Sequence, residues 1–219
     1  MTCNAVTQVT QTSLFKCIYS GIILQMNRWA DYYTNKAKKE DWRARSVYKL
    51  QEIDRRVRLI HSGDRVLDLG CYPGSWSQYC LKKVRAKGHV TGVDILEPER
   101  LGAKNFQFIK ADVLQLDLEW LRKRIGLQDV LLSDMAPKTT GISVTDVARS
   151  LKLAYKALDV ASYLLKWGGN FLCKVFEGEG FADFRHEISS AFSTIRLVRP
   201  DSTRKRSREI YVAGLGFKK

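Results

Sequence analysis

The sequence predicts an α/β fold: a doubly wound, mostly parallel sheet with helices on both faces. Strand-like and helix-like apolar patterns alternate along most of the chain, as expected for parallel strands joined by right-handed crossovers. The stretch Val66 to Gln78, VLDLGCYPGSWSQ, reads as a buried strand ending in an acid and a glycine, then a turn, then a helix. Finally, 219 residues with 45% apolar and 27% charged side chains are an ordinary globular composition, long enough for one sizeable core.

Taken in order, residues 1–26 stand apart. They are poor in charge, and the short apolar run from Leu14 to Leu24 is broken by Lys16 and Ser20. Neither a secretory signal nor an arginine-rich presequence fits them. They read as an N-terminal extension, either disordered or, with Met26 as the working start, not translated. Residues 27–219 are expected to form a single domain. Its first part is basic and aromatic, with Trp29, Tyr32, Tyr33 and Trp42 among many lysines and arginines; this mixture suits RNA backbone contacts and base stacking. Ser46 is the expected cap of a helix whose apolar face is Val47, Leu50 and Ile53. Arg43, Arg45 and Lys49 then leave that face towards solvent or a ligand.

Seven strands are expected, at Arg65–Leu69, His89–Asp94, Phe106–Lys110, Val130–Asp134, Asn170–Val175, Thr194–Arg199 and Ile210–Leu215. The clearest helix is Val144–Trp167, where Leu151, Ala154, Leu158, Ala161 and Leu165 recur at helical spacing and Gly168 and Gly169 supply the stop. The last two strands are joined by a basic loop with no helix, which predicts an antiparallel hairpin at one side of the sheet.

Gly70 and Gly74 bound the first strand–helix turn, one for the sharp bend and one for close approach of a ligand. Asp94, Asp112, Asp134 and Lys174 fall at or just past other strand ends, where such sheets bind ligands. A lone aspartate there is more often a cap or turn residue, so the clustering is what points to a site. The turn reads GCYPG and lacks the middle glycine of a dinucleotide fingerprint, and acidic strand ends suit a cationic nucleoside better than a pyrophosphate. S-adenosylmethionine is such a ligand, with Asp94 on the ribose, Asp112 on the adenine amine, and Asp68 or Asp134 near the ammonium or sulfonium.

The net charge of +14 and a pI near 9.7 point to a polyanionic partner, nucleic acid first. Five cysteines without a CxxC pair and three scattered histidines argue against a disulfide framework or a metal site, and for a reducing, cytoplasmic setting. No run approaches the roughly 18 apolar residues of a membrane span.

Five segments in order, RARSVYKLQEI, VLDLGCYPGSWSQ, LLSDMAPKTTG, LCKVFEGEGF and RPDSTRKRSREIYVAG, carry a close similarity. From about Arg28 onward the chain resembles the FtsJ-type ribosomal RNA large-subunit methyltransferases, which methylate a uridine ribose 2′-hydroxyl. The resemblance implies a Rossmann-like methyltransferase fold with seven strands, one of them antiparallel. It implies S-adenosylmethionine as cofactor, contacted by Gly74, Trp76, Asp94, Asp112 and Asp134, and no metal. It implies a catalytic tetrad of Lys49, Asp134, Lys174 and Glu209, and it implies ribosomal RNA or the large ribosomal subunit as partner, with the enzyme a monomer. Cys71 and Tyr72 replace the small residues usual in the loop, and Ser75 stands where glycine is common.

The expected chemistry follows from the reaction. A ribose hydroxyl must be aligned with the methyl donor and relieved of its proton. Lys174, set in the apolar run FLCKVF where a lysine is costly without purpose, is expected to orient and deprotonate it. Asp134 holds Lys174 and faces the sulfonium, and Glu209 positions Lys49 or the ribose. An idle RNA-binding protein, a transfer-RNA anticodon-loop ribose methyltransferase and a dehydrogenase are the alternatives. The intact tetrad opposes the first, GCYPG opposes the last, and the tetrad does not separate transfer RNA from ribosomal RNA.

Overall fold

A computed structural model describes residues 32–99, 101–203 and 207–218. The expected extension 1–26 and Trp29 lie outside the described residues.

A helix over residues 32–39 (α1) precedes α2 (Val47–Val57), which leads into the alternating part. There β1 (Arg65–Leu69), α3 (Ser75–Val84), β2 (His89–Asp94) and β3 (Phe106–Lys110) follow one another. A 3₁₀ turn, Val113–Gln115, leads to α4 (Leu118–Ile125), β4 (Gln128–Ser133), α5 (Ser143–Leu164) and β5 (Leu165–Phe176). The chain then forms α6 (Phe181–Ala191), β6 (Phe192–Val198) and β7 (Glu209–Phe217). The seven strands lie in the order β3-β2-β1-β4-β5-β7-β6. Only β7 runs against the rest, pairing antiparallel with both β5 and β6. The hairpin expected from the basic loop is therefore present, with its second strand inserted inward, next to β5.

Strand alternation divides the core. Leu67 and Leu69 of β1 face α4, α5 and α6, packed with Leu131, Phe171, Leu158 and Phe184. Val66 faces the other side, with Leu50 and Ile53 of α2 and Cys80 and Val84 of α3. The order of the strands reverses between β1 and β4. Such a switch point leaves a crevice beyond the carboxyl ends of these two strands.

Two local expectations are corrected. Ser46 precedes α2 but makes no side-chain cap to it; its backbone is already helical, and its hydroxyl instead shares a 2.8 Å hydrogen bond with Ser75 at the start of α3. The long helix ends at Leu164, and Trp167, Gly168 and Gly169 belong to β5. Pairing with β4 explains this. Gln128 pairs with Leu165 and Val130 with Asn170, so β5 enters the sheet at once and bulges its surplus residues outward.

Candidate functional site

Lys174 lies inside β5, with only 7% of its side chain exposed. Its Nζ donates to the Asp134 carboxylate at 2.8 Å and also to the Asp134 backbone carbonyl. Asp134 is the first residue after β4, and β4–β5 pairing aligns Ser133 with Cys173. Adjacent parallel strands thus bring the two groups together. A charge buried this deeply is tolerated because a partner charge and hydrogen bonds surround it.

A second pair closes the site from the other side. Lys49, in the first turn of α2, donates to Glu209 Oε1 at 2.5 Å, and Glu209 opens β7. The four residues expected from the resemblance thus form two ion pairs, and Tyr211 joins them. Tyr211 pairs with Lys174 in the β5–β7 register, its hydroxyl donates to Asp134 Oδ1 at 2.7 Å, and Lys49 Nζ stands 5.8 Å from its ring centre. Burial, reinforced by the charges of Asp134 and Glu209, pushes the Tyr211 phenol well above its usual range, so it stays a donor. For Asp134 burial acts upward, but the charges of Lys174 and Lys49 and the bonds from Lys174 and Tyr211 hold its carboxyl below the usual range. Tyr211 was absent from the expected set. Strand parity is the signal for it, since it lies two residues beyond Glu209 and shares its face.

Asp134 also borders a cavity of about 310 Å³, with Gly70, Tyr72, Asp94, Asp112 and Met135 among its walls. Asp94 accepts from the backbone N–H groups of Tyr72 at 2.9 Å and Leu96 at 2.9 Å, which fixes the carboxylate between two loops. Asp112 accepts from Leu114 N at 2.9 Å and Gln115 Nε2 at 3.1 Å, so it caps the 3₁₀ turn as well as facing the cavity. Beneath them Asp68 is fully buried; Ser77 Oγ donates to its Oδ2 at 2.6 Å, and its Oδ1 has no partner. Burial, with Asp134 and Asp94 adding to it against the Ser77 bond, raises this carboxyl to about 7. No lysine or arginine lines the cavity among the described residues. Three carboxylates and a fourth unsatisfied one beneath fit a cationic ligand and disfavour a phosphate.

Gly70 (φ +73°) and Gly74 (φ +106°) both take the left-handed conformation that the glycine turn requires. Gly74 and Trp76, expected at the cofactor, do not line this cavity. Gly74 precedes α3 and faces Pro98 and Leu101 of the β2–β3 connection. The first turn of α3 swings Trp76 towards α2, where it is buried, donates to the Ser46 carbonyl at 3.0 Å and packs 5.9 Å from the Tyr211 ring. Trp76 thus buttresses the tetrad from behind. A larger hollow of about 460 Å³, beside Glu97, Pro98 and Phe108, contains none of the tetrad or the three strand-end acids.

The β6–β7 connection is anchored on both sides near this site. Both Glu52 carboxylate oxygens accept from Asp201 N, at 3.0 and 2.9 Å, and Arg56 pairs with Glu52 at 2.5 Å. On the far side Arg199 pairs with Glu177 and donates to the Ser207 carbonyl at 2.9 Å. The β6–β7 connection is thereby tied both to α2 and to the end of β5. Near α1, Trp42 carries Lys82 3.8 Å above its ring.

A doubly wound sheet with an acid-lined crevice at its switch point and a lysine–carboxylate centre beside it defines a ligand-binding α/β domain with a polar centre next to its ligand crevice. The sequence profile of the FtsJ-like methyltransferases matches residues 42–217, and the chain belongs to that family. It is 49% identical over 191 residues to the ribosomal RNA large subunit methyltransferase E of Bdellovibrio bacteriovorus, covering 86% of this chain and 97% of that one. The protein of the same name from Desulfatibacillum aliphaticivorans is 46% identical over 189 residues, covering 86% and 91%. Among solved structures, a Plasmodium falciparum protein assigned as a ribosomal RNA methyltransferase superposes with a TM-score of 0.71 at 25% identity, covering 80% of this chain and 98% of that one.

Proposed function

We propose that this methyltransferase transfers a methyl group from S-adenosylmethionine to a ribose 2′-hydroxyl of large-subunit ribosomal RNA, with a uridine as target. The observation that carries the reading is Lys174, buried at the edge of an acid-lined cavity and held by both the carboxylate and the carbonyl of Asp134. When bound, the cofactor supplies a methyl group on a sulfonium, open to in-line attack. Asp94, Asp112 and Asp134 are the residues that would hold it, with Asp68 beneath adding to the acidic character of the cavity.

The remaining chemistry belongs to the chain. A lysine ammonium has three N–H donors; Asp134 takes two from Lys174, which leaves one for the ribose hydroxyl. In its charged form Lys174 so orients the nucleophile; once it has released one of its own protons to solvent, the neutral amine is the acceptor for the hydroxyl proton as attack proceeds. Tyr211 and Asp134 keep Lys174 from swinging away. Lys49, fixed by Glu209, faces the same space and steadies the developing alkoxide. We read the enzyme as a monomer that works in the cytoplasm on ribosomal RNA.

Lys174→Ala should bind S-adenosylmethionine in calorimetry as the parent does and lose at least about a hundredfold in radiolabelled methyl transfer to large-subunit RNA. Turnover within about threefold of the parent would overturn the assignment. Mapping ribose methylation in cells lacking the protein separates ribosomal from transfer RNA.

A further inference from the structure

The end of the sheet away from the tetrad carries a feature that the reaction leaves unused. Trp167 is 78% exposed, Trp120 44% and Tyr163 38%. Trp120 lies on α4, Tyr163 in the last turn of α5 and Trp167 near the start of β5. Trp167 stands on the β5 bulge, beside the Gln128–Leu165 pairing. Arg122 stacks 5.3 Å from the Tyr163 ring centre, and Arg124 5.3 Å from that of Trp120. The acids nearby are committed, Glu119 to Lys123 at 2.6 Å and Asp129 to Lys166 at 2.6 Å. Arg122 and Arg124 make no ion pair among the described residues.

Cations in the last turn of α4 favour its dipole, which accounts for the arginines. It does not account for two tryptophans left in water next to them. An arginine lying on an aromatic face keeps its guanidinium edge free for a phosphate, and the exposed ring edge beside it can take an unstacked base. The protein is basic overall, at +14, so an anionic partner is favoured over another protein of the same sign.

We infer that Trp120, Arg122, Arg124, Tyr163 and Trp167 form a second RNA-contact surface, at the opposite end of the strands from the methyl-transfer site, which grips a separate segment of the same substrate. The inference rests on RNA being the substrate. A substrate held at both ends of the sheet is a large folded RNA, and a short oligonucleotide can occupy only one.

The test uses the full chain and protein-free large-subunit ribosomal RNA in equilibrium binding across a salt series. Arg122→Glu/Arg124→Glu should weaken binding about tenfold or more and lower the salt slope by about two phosphates. Arg122→Gln/Arg124→Gln should do the same to a smaller degree, which controls for misfolding by the charge reversal. The exposed pair Lys152→Glu/Arg185→Glu on α5 and α6 removes equal charge elsewhere and should cost less than about threefold. Ultraviolet crosslinking of the parent to the RNA should label peptides containing Trp120 or Trp167. An unchanged slope, or an equal loss in the control pair, overturns the inference. So does a variant that binds naked RNA like the parent but loses the assembled subunit, since the surface then meets a protein. Methyl transfer by the parent is scored separately, so failure of the catalytic reading and failure of this surface are told apart.

Discussion

Asp68 sits where β1 gives way to the glycine turn, and only one of its oxygens has a partner. Its folded-state carboxyl titrates at about 7, against roughly 4 in an unfolded chain. Between these values the folded protein binds the extra proton, so stability falls as pH rises through that window and levels off above it. Urea unfolding of the ligand-free protein should show a loss on the order of 2 kcal/mol from pH 5 to pH 8 that Asp68→Asn abolishes. The same slope in both proteins would remove Asp68 as its source. The segments that carry the family resemblance pointed to Lys49, Asp134, Lys174 and Glu209, and the fold brings these four together as two ion pairs. The segments did not lead to Tyr211, whose role depends on which residue of β7 faces Lys174, or to the place of Trp76, which depends on how the first turn of α3 is oriented. Register and helix rotation are set by packing between distant segments.

At the scale of elements, the β6–β7 connection depends on one glutamate of α2. Glu52 is three residues after Lys49, and its two oxygens share the Asp201 amide. Removing it leaves that amide without its acceptor, a loss of about 1–2 kcal/mol. In Glu52→Ala, hydrogen exchange at residues 199–203 should quicken by roughly tenfold while α5 keeps its protection. The apparent KM for RNA should rise more than the Kd for S-adenosylmethionine. Unaltered exchange in the connection would show that other contacts hold it. Strands β1, β2 and β3 matched their expected bounds, since a short apolar run between turn signals leaves little freedom. The α5–β5 boundary did not. The apolar spacing runs on through Leu165, and only pairing with β4 decides that the backbone straightens there.

For the whole molecule, charge and shape act together. No described helix is long and apolar enough to cross a membrane. The excess of cations, at +14, should make association with large-subunit RNA fall about a thousandfold between 50 and 200 mM salt if some six phosphates are engaged. A flat response in the same titration would contradict an electrostatic grip. That much was legible from composition, because net charge needs no fold; the division of the aromatic and basic groups between two ends of the sheet was not, because it depends on strand order. Strand order also has a consequence for how the protein is made. β7 follows every other strand in the chain, yet it lies between β5 and β6. While the polypeptide is still emerging from the ribosome, β5 has an open edge and β6 has no neighbour in the sheet. Lys174 and Lys49 are already synthesised then, but Glu209 and Tyr211 are not. Such late, long-range pairing is slow and leaves an exposed edge to be guarded. The nascent chain therefore has no assembled centre until β7 has emerged and paired between β5 and β6.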